Sequence, residues 1–408
     1  MGFRCIKDEQ LYNKSLKNTL GLICGRNNIA LQKQFENYFK LKCQVVTFDI
    51  NDINTETQEM NRINAKDLTG YVGDYKNGDM KIRLFGCNNG SINEYDFQQR
   101  STHEVLHAWS EFLPTILKIN RDRIIHNLLY RNISGTIYKK SIGNEPNETF
   151  GGCYNECMMD ILAECAFVGY DNTIINNGVT VDTILRESRD RWYHNSTEGK
   201  TFYSGFYDFT RLAIAAFSND ANFSFQKCIN NGESIILAGD TVNGKNIFKN
   251  DFITGTLCDP FIIMNQFDEI MGEGSYFKFC TESEKIFDAF VNGRAVSQSQ
   301  ICNIVNDLTS FAAKKCKARC DEGMLSKDNA SLIFNNVLRI RTEIYEKYHI
   351  NDKLDTRPVE VRNDRLEPAQ LSQLTQTVTR ENPGKVSTSF AKMKNFFNNI
   401  VQKNREER

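Results

Sequence analysis

The stretch Ser101-Thr102-His103-Glu104-Val105-Leu106-His107-Ala108-Trp109 decides how the rest of this chain is read. Phe97, Val105, Leu106, Trp109 and Phe112 recur at helical spacing, so the segment belongs to one amphipathic helix. Residues four apart on a helix lie one above the other, which lets the imidazoles of His103 and His107 reach one metal ion. Glu104 stands about 100° further round, where its carboxylate can take a proton from a water on that ion. The competing reading is two unrelated histidines on a helix surface. The chain has 5 histidines in 408 residues. At that density a chance HExxH is expected in on the order of one such sequence in a few hundred, which disfavours coincidence.

Two imidazoles do not complete a metal site; a third protein ligand has to come from elsewhere. Gly151-Gly152-Cys153-Tyr154-Asn155-Glu156-Cys157-Met158-Met159-Asp160 offers one in Glu156. Glu156 and Asp160 are again four apart on one helix face, among the apolar Met158, Met159, Ile161 and Leu162. Carboxylates in such company need partners, because unpaired burial costs several kcal/mol. A metal for Glu156 and the ring N–H of a metal-bound histidine for Asp160 satisfy both. Glu164, two turns beyond Glu156 on the same face, is the rival third ligand.

Together, His103-Glu104-Val105-Leu106-His107 and Asn155-Glu156-Cys157-Met158-Met159-Asp160, the latter preceded by Gly151, resemble the gluzincins. These are thermolysin-like zinc metallopeptidases, with an HExxH helix followed by a helix carrying NExxxD. The resemblance covers about residues 40–170 and is specific as a pair of motifs. It implies Zn2+ held by His103, His107 and Glu156, with Asp160 orienting His103. It further implies Glu104 as general base and a water attacking a peptide carbonyl. The family's proton-donating Tyr and His have no aligned counterpart beyond residue 170. His194 in Arg191-Trp192-Tyr193-His194 and Tyr203 in Phe202-Tyr203-Ser204-Gly205-Phe206-Tyr207 are the candidates for that catalytic role. His126 and His349 read as structural or solvated.

Outward from these motifs the pattern reads α+β. Residues 8–40 look helical, with Leu31, Phe35 and Phe39 on one face. Residues 43–50 form a β-rich run. Residues 70–75 and 80–85 flank Asn77-Gly78, the pair that suits a type I′ hairpin turn. Lys81 and Arg83 alternate there with Ile82 and Leu84, one face wet and one buried. In the gluzincin fold this region is the substrate-flanking edge strand, so an extended peptide is expected to add alongside 80–86. Ser91-Ile92-Asn93-Glu94 fits a capping box that opens the HExxH helix, and Pro114 ends or kinks it. A polar loop around 144–148 precedes a helix over 153–168; helices follow at 203–218, in parts of 252–292, at 297–316 and at 328–349. The expected fold is therefore a small twisted sheet with an HExxH active-site helix, then a mostly helical subdomain and a flexible C-terminal tail. The division expected is 1–115, an α+β unit with the hairpin; 116–350, the helical unit carrying Glu156; and 351–408, a linker ending in an amphipathic helix. That last helix carries Phe390, Met393, Phe397, Ile400 and Val401 at helical spacing, and its partner is unstated.

Composition narrows the class. Lys and Arg number 50 against 51 Asp and Glu, so nothing marks a nucleic-acid binder. No apolar run approaches the ~18 residues of a membrane span. The N-terminal residues lack an apolar signal core, and the 13 cysteines are odd in number and scattered. They read as reduced thiols, and the expected location is cytoplasmic, with specialised export still open. The expected partner is a peptide or protein substrate. Two other readings remain open: a non-catalytic zinc-bearing scaffold, and a protease effector delivered into another cell.

Overall fold

The computed structural model describes residues 3, 5–48, 73–76, 81–87, 94–116, 138–140, 148–150, 152–170, 206–236, 239–242, 245–258, 260–291 and 294–350. The first elements are α1 (Ile6–Cys24), α2 (Ile29–Lys42), β1 (Gln44–Phe48), β2 (Gly73–Lys76), β3 (Lys81–Phe85) and α3 (Glu94–Ile116). An antiparallel pair, β4 (Tyr138–Lys140) and β5 (Glu148–Phe150), precedes α4 (Gly152–Tyr170). Then come α5 (Tyr207–Ala216), α6 (Phe225–Asn231), the hairpin β6 (Gly239–Val242) and β7 (Lys245–Phe248), and α7 (Asp251–Leu257). The series closes with α8 (Pro260–Met271), α9 (Ser275–Val291), α10 (Gln298–Asp321) and α11 (Lys327–Lys347). Helix dominates and the sheets are small, which is α+β in the loose sense. The turn at 77–80, the cap at 91–93, the loop at 144–147 and the tail at 351–408 lie outside the described residues.

Residues 8–40 are helical as expected, in two helices separated by a break between Cys24 and Ile29. Gly25 has φ +84°, and a Cβ there would stand 2.7 Å from the Gly232 carbonyl oxygen. Any other residue is therefore opposed both by its backbone and by its neighbour. Asn28 then caps α2, its side chain accepting from the Leu31 N–H at 3.2 Å. Helix α3 also runs two residues past Pro114 before it stops.

The sheet order is β1-β3-β2. Strand β3 pairs parallel with β1, from Gln44↔Lys81 to Phe48↔Phe85, and antiparallel with β2, from Lys76↔Lys81 to Gly73↔Leu84. This corrects the edge-strand expectation. Both sides of residues 81–85 are hydrogen-bonded to neighbours, so an added peptide has no ladder to join there. Ile82 and Leu84 are buried while Lys81 and Arg83 stay half-exposed, the alternation that a one-sided sheet requires.

Helix α3 lies at the centre of this part of the core, against α1, α2, β2, β3 and α4. Trp109 is fully buried, with the rings of Phe35 and Phe39 at 5.3 and 4.9 Å. The apolar face of α2 thus meets the apolar face of the HExxH helix. On the other side, Ser15 Oγ donates to the Gln98 carbonyl at 3.0 Å. The buried Asp8 accepts from the Cys87 N–H at 3.0 Å, tying α1 to the end of β3. A single cluster of buried apolar side chains runs from Tyr12 to Tyr345, so the later helices share a continuous core with α3 and α4.

Among the described residues no helix is long and apolar enough to cross a membrane. All 13 cysteines are unbridged. Cys153 and Cys157, the closest-spaced pair on α4, are fully buried, and burial pushes both thiols well above their usual range.

Trp109→Ala removes the largest buried side chain of α3 and leaves a cavity against Phe35 and Phe39. Denaturant unfolding is expected to show a loss of about 3–5 kcal/mol. A loss below about 1 kcal/mol contradicts the central packing of α3.

Candidate metal centre

Helices α3 and α4 pack side by side and present the two motifs to each other. In α3, every residue from Ser101 to Ser110 is buried. Its hydroxyls are satisfied within the helix: Ser101 Oγ donates to Phe97 O at 2.5 Å, Thr102 Oγ1 to Gln98 O at 2.7 Å and Ser110 Oγ to His107 O at 2.7 Å. Three hydroxyls of this stretch are thus bonded to the helix backbone, and His103 and His107 face Glu156 of α4.

The start of α4 is held from far along the chain. Glu284 of α9 accepts from the Cys153 N–H at 3.0 Å, one of the amides that a helix N-terminus leaves unpaired. Burial raises the Glu284 pKa, opposed by the Cys153 and Gly152 amides. Tyr154 Oη and Ser283 Oγ are 3.0 Å apart in the same contact. This contact holds the first turn of α4, three residues before Glu156.

Three donor atoms converge there. Glu156 Oε2 lies 3.4 Å from His103 Nε2 and 3.5 Å from His107 Nε2. The two Nε2 atoms are 2.9 Å apart. Among the described residues these three form the only group of at least three His, Cys, Asp or Glu side chains close enough to share a metal ion. A cation about 2.1 Å from each donor in tetrahedral geometry needs donors about 3.4 Å apart. Both distances to Glu156 fit, and the histidine pair needs to open by about half an ångström. The Glu156 side chain is 25% exposed whereas the His103 side chain is 1% exposed, so the open side of the cluster lies towards Glu156.

Asp160, one turn beyond Glu156, sets the ring of His103. Its Oδ1 is 2.5 Å from His103 Nδ1, and neither atom has a hydrogen-bond partner elsewhere. With Nδ1 turned to the carboxylate, Nε2 is the atom left to face the cluster. The Asp160 Oδ2 accepts from the Tyr207 hydroxyl at 2.8 Å.

The electrostatics follow from burial and pairing. Burial disfavours a charged His103, but the adjacent Asp160 and Glu156 carboxylates outweigh it and carry its pKa up to about 10. Burial opposes ionisation of Glu156, and His107 and His103 overcome this, holding it well below the usual carboxylate range. Asp160 is lowered in the same way, against its burial, chiefly by His103. Glu104 behaves differently: burial raises it, and the nearby histidines and Arg100 only partly oppose that.

Glu164 is buried farther along α4 and does not join the cluster; its charge is felt at Tyr207 instead. His349 is exposed at the end of α11, with φ 52°. Tyr203, His194 and His126 lie outside the described residues. Sequence reading passed over Tyr207 and Glu284. Tyr207 stands in the quoted 202–207 stretch, but no spacing rule links it to a residue 47 positions earlier. Glu284 offered no local signal.

No family model, no curated protein and no solved structure matches this chain. The case for chemistry therefore rests on the residues themselves.

Metal binding requires a neutral imidazole, so a His103 held protonated to about pH 10 must release its proton to a cation. The raised pKa means the proton is bound below about pH 10 and already lost above it. Calorimetry of Zn2+ binding at pH 8, in buffers of different ionisation heat, is expected to show more protons released per ion, by up to about one, in wild type than in Asp160→Asn, whose His103 lacks that carboxylate. Equal release by the two proteins would contradict the His103–Asp160 pairing, because an imidazole at its ordinary pKa is almost wholly neutral at pH 8.

Proposed function

We propose that this protein is a zinc-dependent peptidase. The observation that carries the reading is the convergence of His103 Nε2, His107 Nε2 and Glu156 Oε2 on one point, with the buried Glu104 directly after His103. Two nitrogen donors and one carboxylate oxygen are the ligand chemistry of catalytic zinc sites that keep a fourth position open. When bound, the ion supplies Lewis acidity to the scissile carbonyl and makes water acidic enough to react near neutral pH.

The chain's own residues do the rest. Glu104 takes a proton from the attacking water, and its raised pKa makes it a better acceptor than an ordinary surface carboxylate. It returns that proton to the departing amine nitrogen as the C–N bond breaks, leaving a carboxylate and an amine. Asp160 keeps His103 in the tautomer that presents Nε2. Tyr203 and His194 remain the candidates to stabilise the developing oxyanion. Strand β2 packs against α3 and is an edge of its sheet among the described residues. It is the strand along which an extended peptide can pair beside the metal ligands.

Purified wild-type protein is expected to hold about one zinc per chain. Glu104→Gln keeps the side chain's size and leaves the three donors in place, so zinc content and thermal stability should hardly change. Peptide hydrolysis, followed on a substrate found by library screening, should fall at least about a hundredfold. Equal cleavage by wild type and variant assigns the activity to a contaminant and overturns the reading. Zinc in both proteins with cleavage by neither identifies a scaffold rather than an enzyme. Absence of zinc from wild type, even after it is added, removes the metal centre altogether.

A further inference from the structure

We propose that Tyr207 is a positioning residue of the metal centre, acting through Asp160 on His103; this rests on the metal-holding reading above. The Asp160 carboxylate has one oxygen on each neighbour: Oδ1 at His103 Nδ1, 2.5 Å away, and Oδ2 at the Tyr207 hydroxyl, 2.8 Å away. A carboxylate held at a single oxygen can rotate about its Cβ–Cγ bond and carry the imidazole contact with it. A second, directional bond fixes its plane. Bulk solvent barely reaches this bond, because Asp160 is 1% and Tyr207 4% exposed.

The hydroxyl is itself placed by packing. Tyr207 is the first residue of α5, and the preceding Phe206 is fully buried with its ring 5.1 Å from Tyr154 of α4. Thr210, one turn further along α5, sits beside the Cys157 thiol of α4. Three consecutive contacts thus align α5 with the helix that carries Glu156 and Asp160. The NExxxD spacing on α4 holds no trace of Tyr207, which enters from 47 residues downstream. The centre is accordingly a four-helix construction: ligands from α3 and α4, their orientation set by α5, and the start of α4 fastened by α9.

The test is zinc affinity of the full chain, measured by competition with a chromogenic chelator at fixed pH. Melting temperature of the metal-free protein serves as the fold control. Tyr207→Phe deletes one oxygen and is expected to weaken zinc binding about tenfold, the lower end for groups that hold a metal ligand from behind. Metal-free melting should change little by comparison. Asp160→Ala is expected to weaken binding about 10–100-fold. In that background the further change Tyr207→Phe should have no effect, because its acceptor is gone. Unchanged affinity in Tyr207→Phe overturns the proposal. So does a loss of equal size with and without Asp160, which marks Tyr207 as general packing. If Tyr207→Phe fails to fold, 3-fluorotyrosine at position 207 keeps the ring and strengthens the donor. Its affinity should then shift from that of wild type, and identical affinity overturns the proposal. A wild type that binds no zinc defeats the metal centre itself, whereas a zinc-binding wild type with an indifferent Tyr207→Phe defeats this inference alone.

Discussion

Five ionisable side chains, His103, Glu104, His107, Glu156 and Asp160, meet between two helices, and all but Glu156 are buried. An isolated charge in such a place costs several kcal/mol, so each group must either be paired or give up its charge. The arrangement obeys that constraint in detail. His103 is paired on both ring nitrogens, with Asp160 behind it and Glu156 in front. Glu156 is shared between two imidazoles. Glu104 is the exception, and its pKa rises accordingly. The group with the least compensation is therefore the one best suited to accept a proton.

Much of the surrounding fold can be understood as the support such a cluster needs. Donor atoms have to be held to within about half an ångström to act together, which loops alone seldom achieve. Here α3 is wedged by Trp109 between Phe35 and Phe39 and is tied to α1 through Ser15. The helix α4 is fastened at its start by Glu284 and alongside Asp160 by Tyr207. These anchors come from four different helices, and each of those helices contributes side chains to one continuous apolar core. A substitution in α9 or α5 can thus reach the His103–His107–Glu156 cluster without touching it.

The local chemistry of the chain was readable because it depends on short spacings. Four-residue intervals placed His103 over His107 and Glu156 over Asp160, and the alternation Lys81-Ile82-Arg83-Leu84 marked a one-sided strand. The Asn-Gly pair at 77–78 marked β2 and β3, and the strands do pair antiparallel with Lys76 opposite Lys81. The same pair at Asn243-Gly244 lies between β6 and β7, a hairpin overlooked because its flanks are short and polar. The helical pattern over 8–40 carried no sign of the break at Gly25, which answers to Gly232, more than two hundred residues away.

What the sequence by itself determined is which residues share a helix face and which of them are chemically able to hold a cation or move a proton. Helical periodicity is a property of neighbouring residues, so spacing alone suffices for that. Only the tertiary structure decided that the two faces meet, that Glu156 Oε2 lies within 3.5 Å of both Nε2 atoms and that Glu164 stays away. It also decided that β3 is the central strand, and that Tyr207 and Glu284 complete the support. Those outcomes depend on packing between segments tens to hundreds of residues apart. No local pattern encodes them, because the free energy that selects them is that of one shared core.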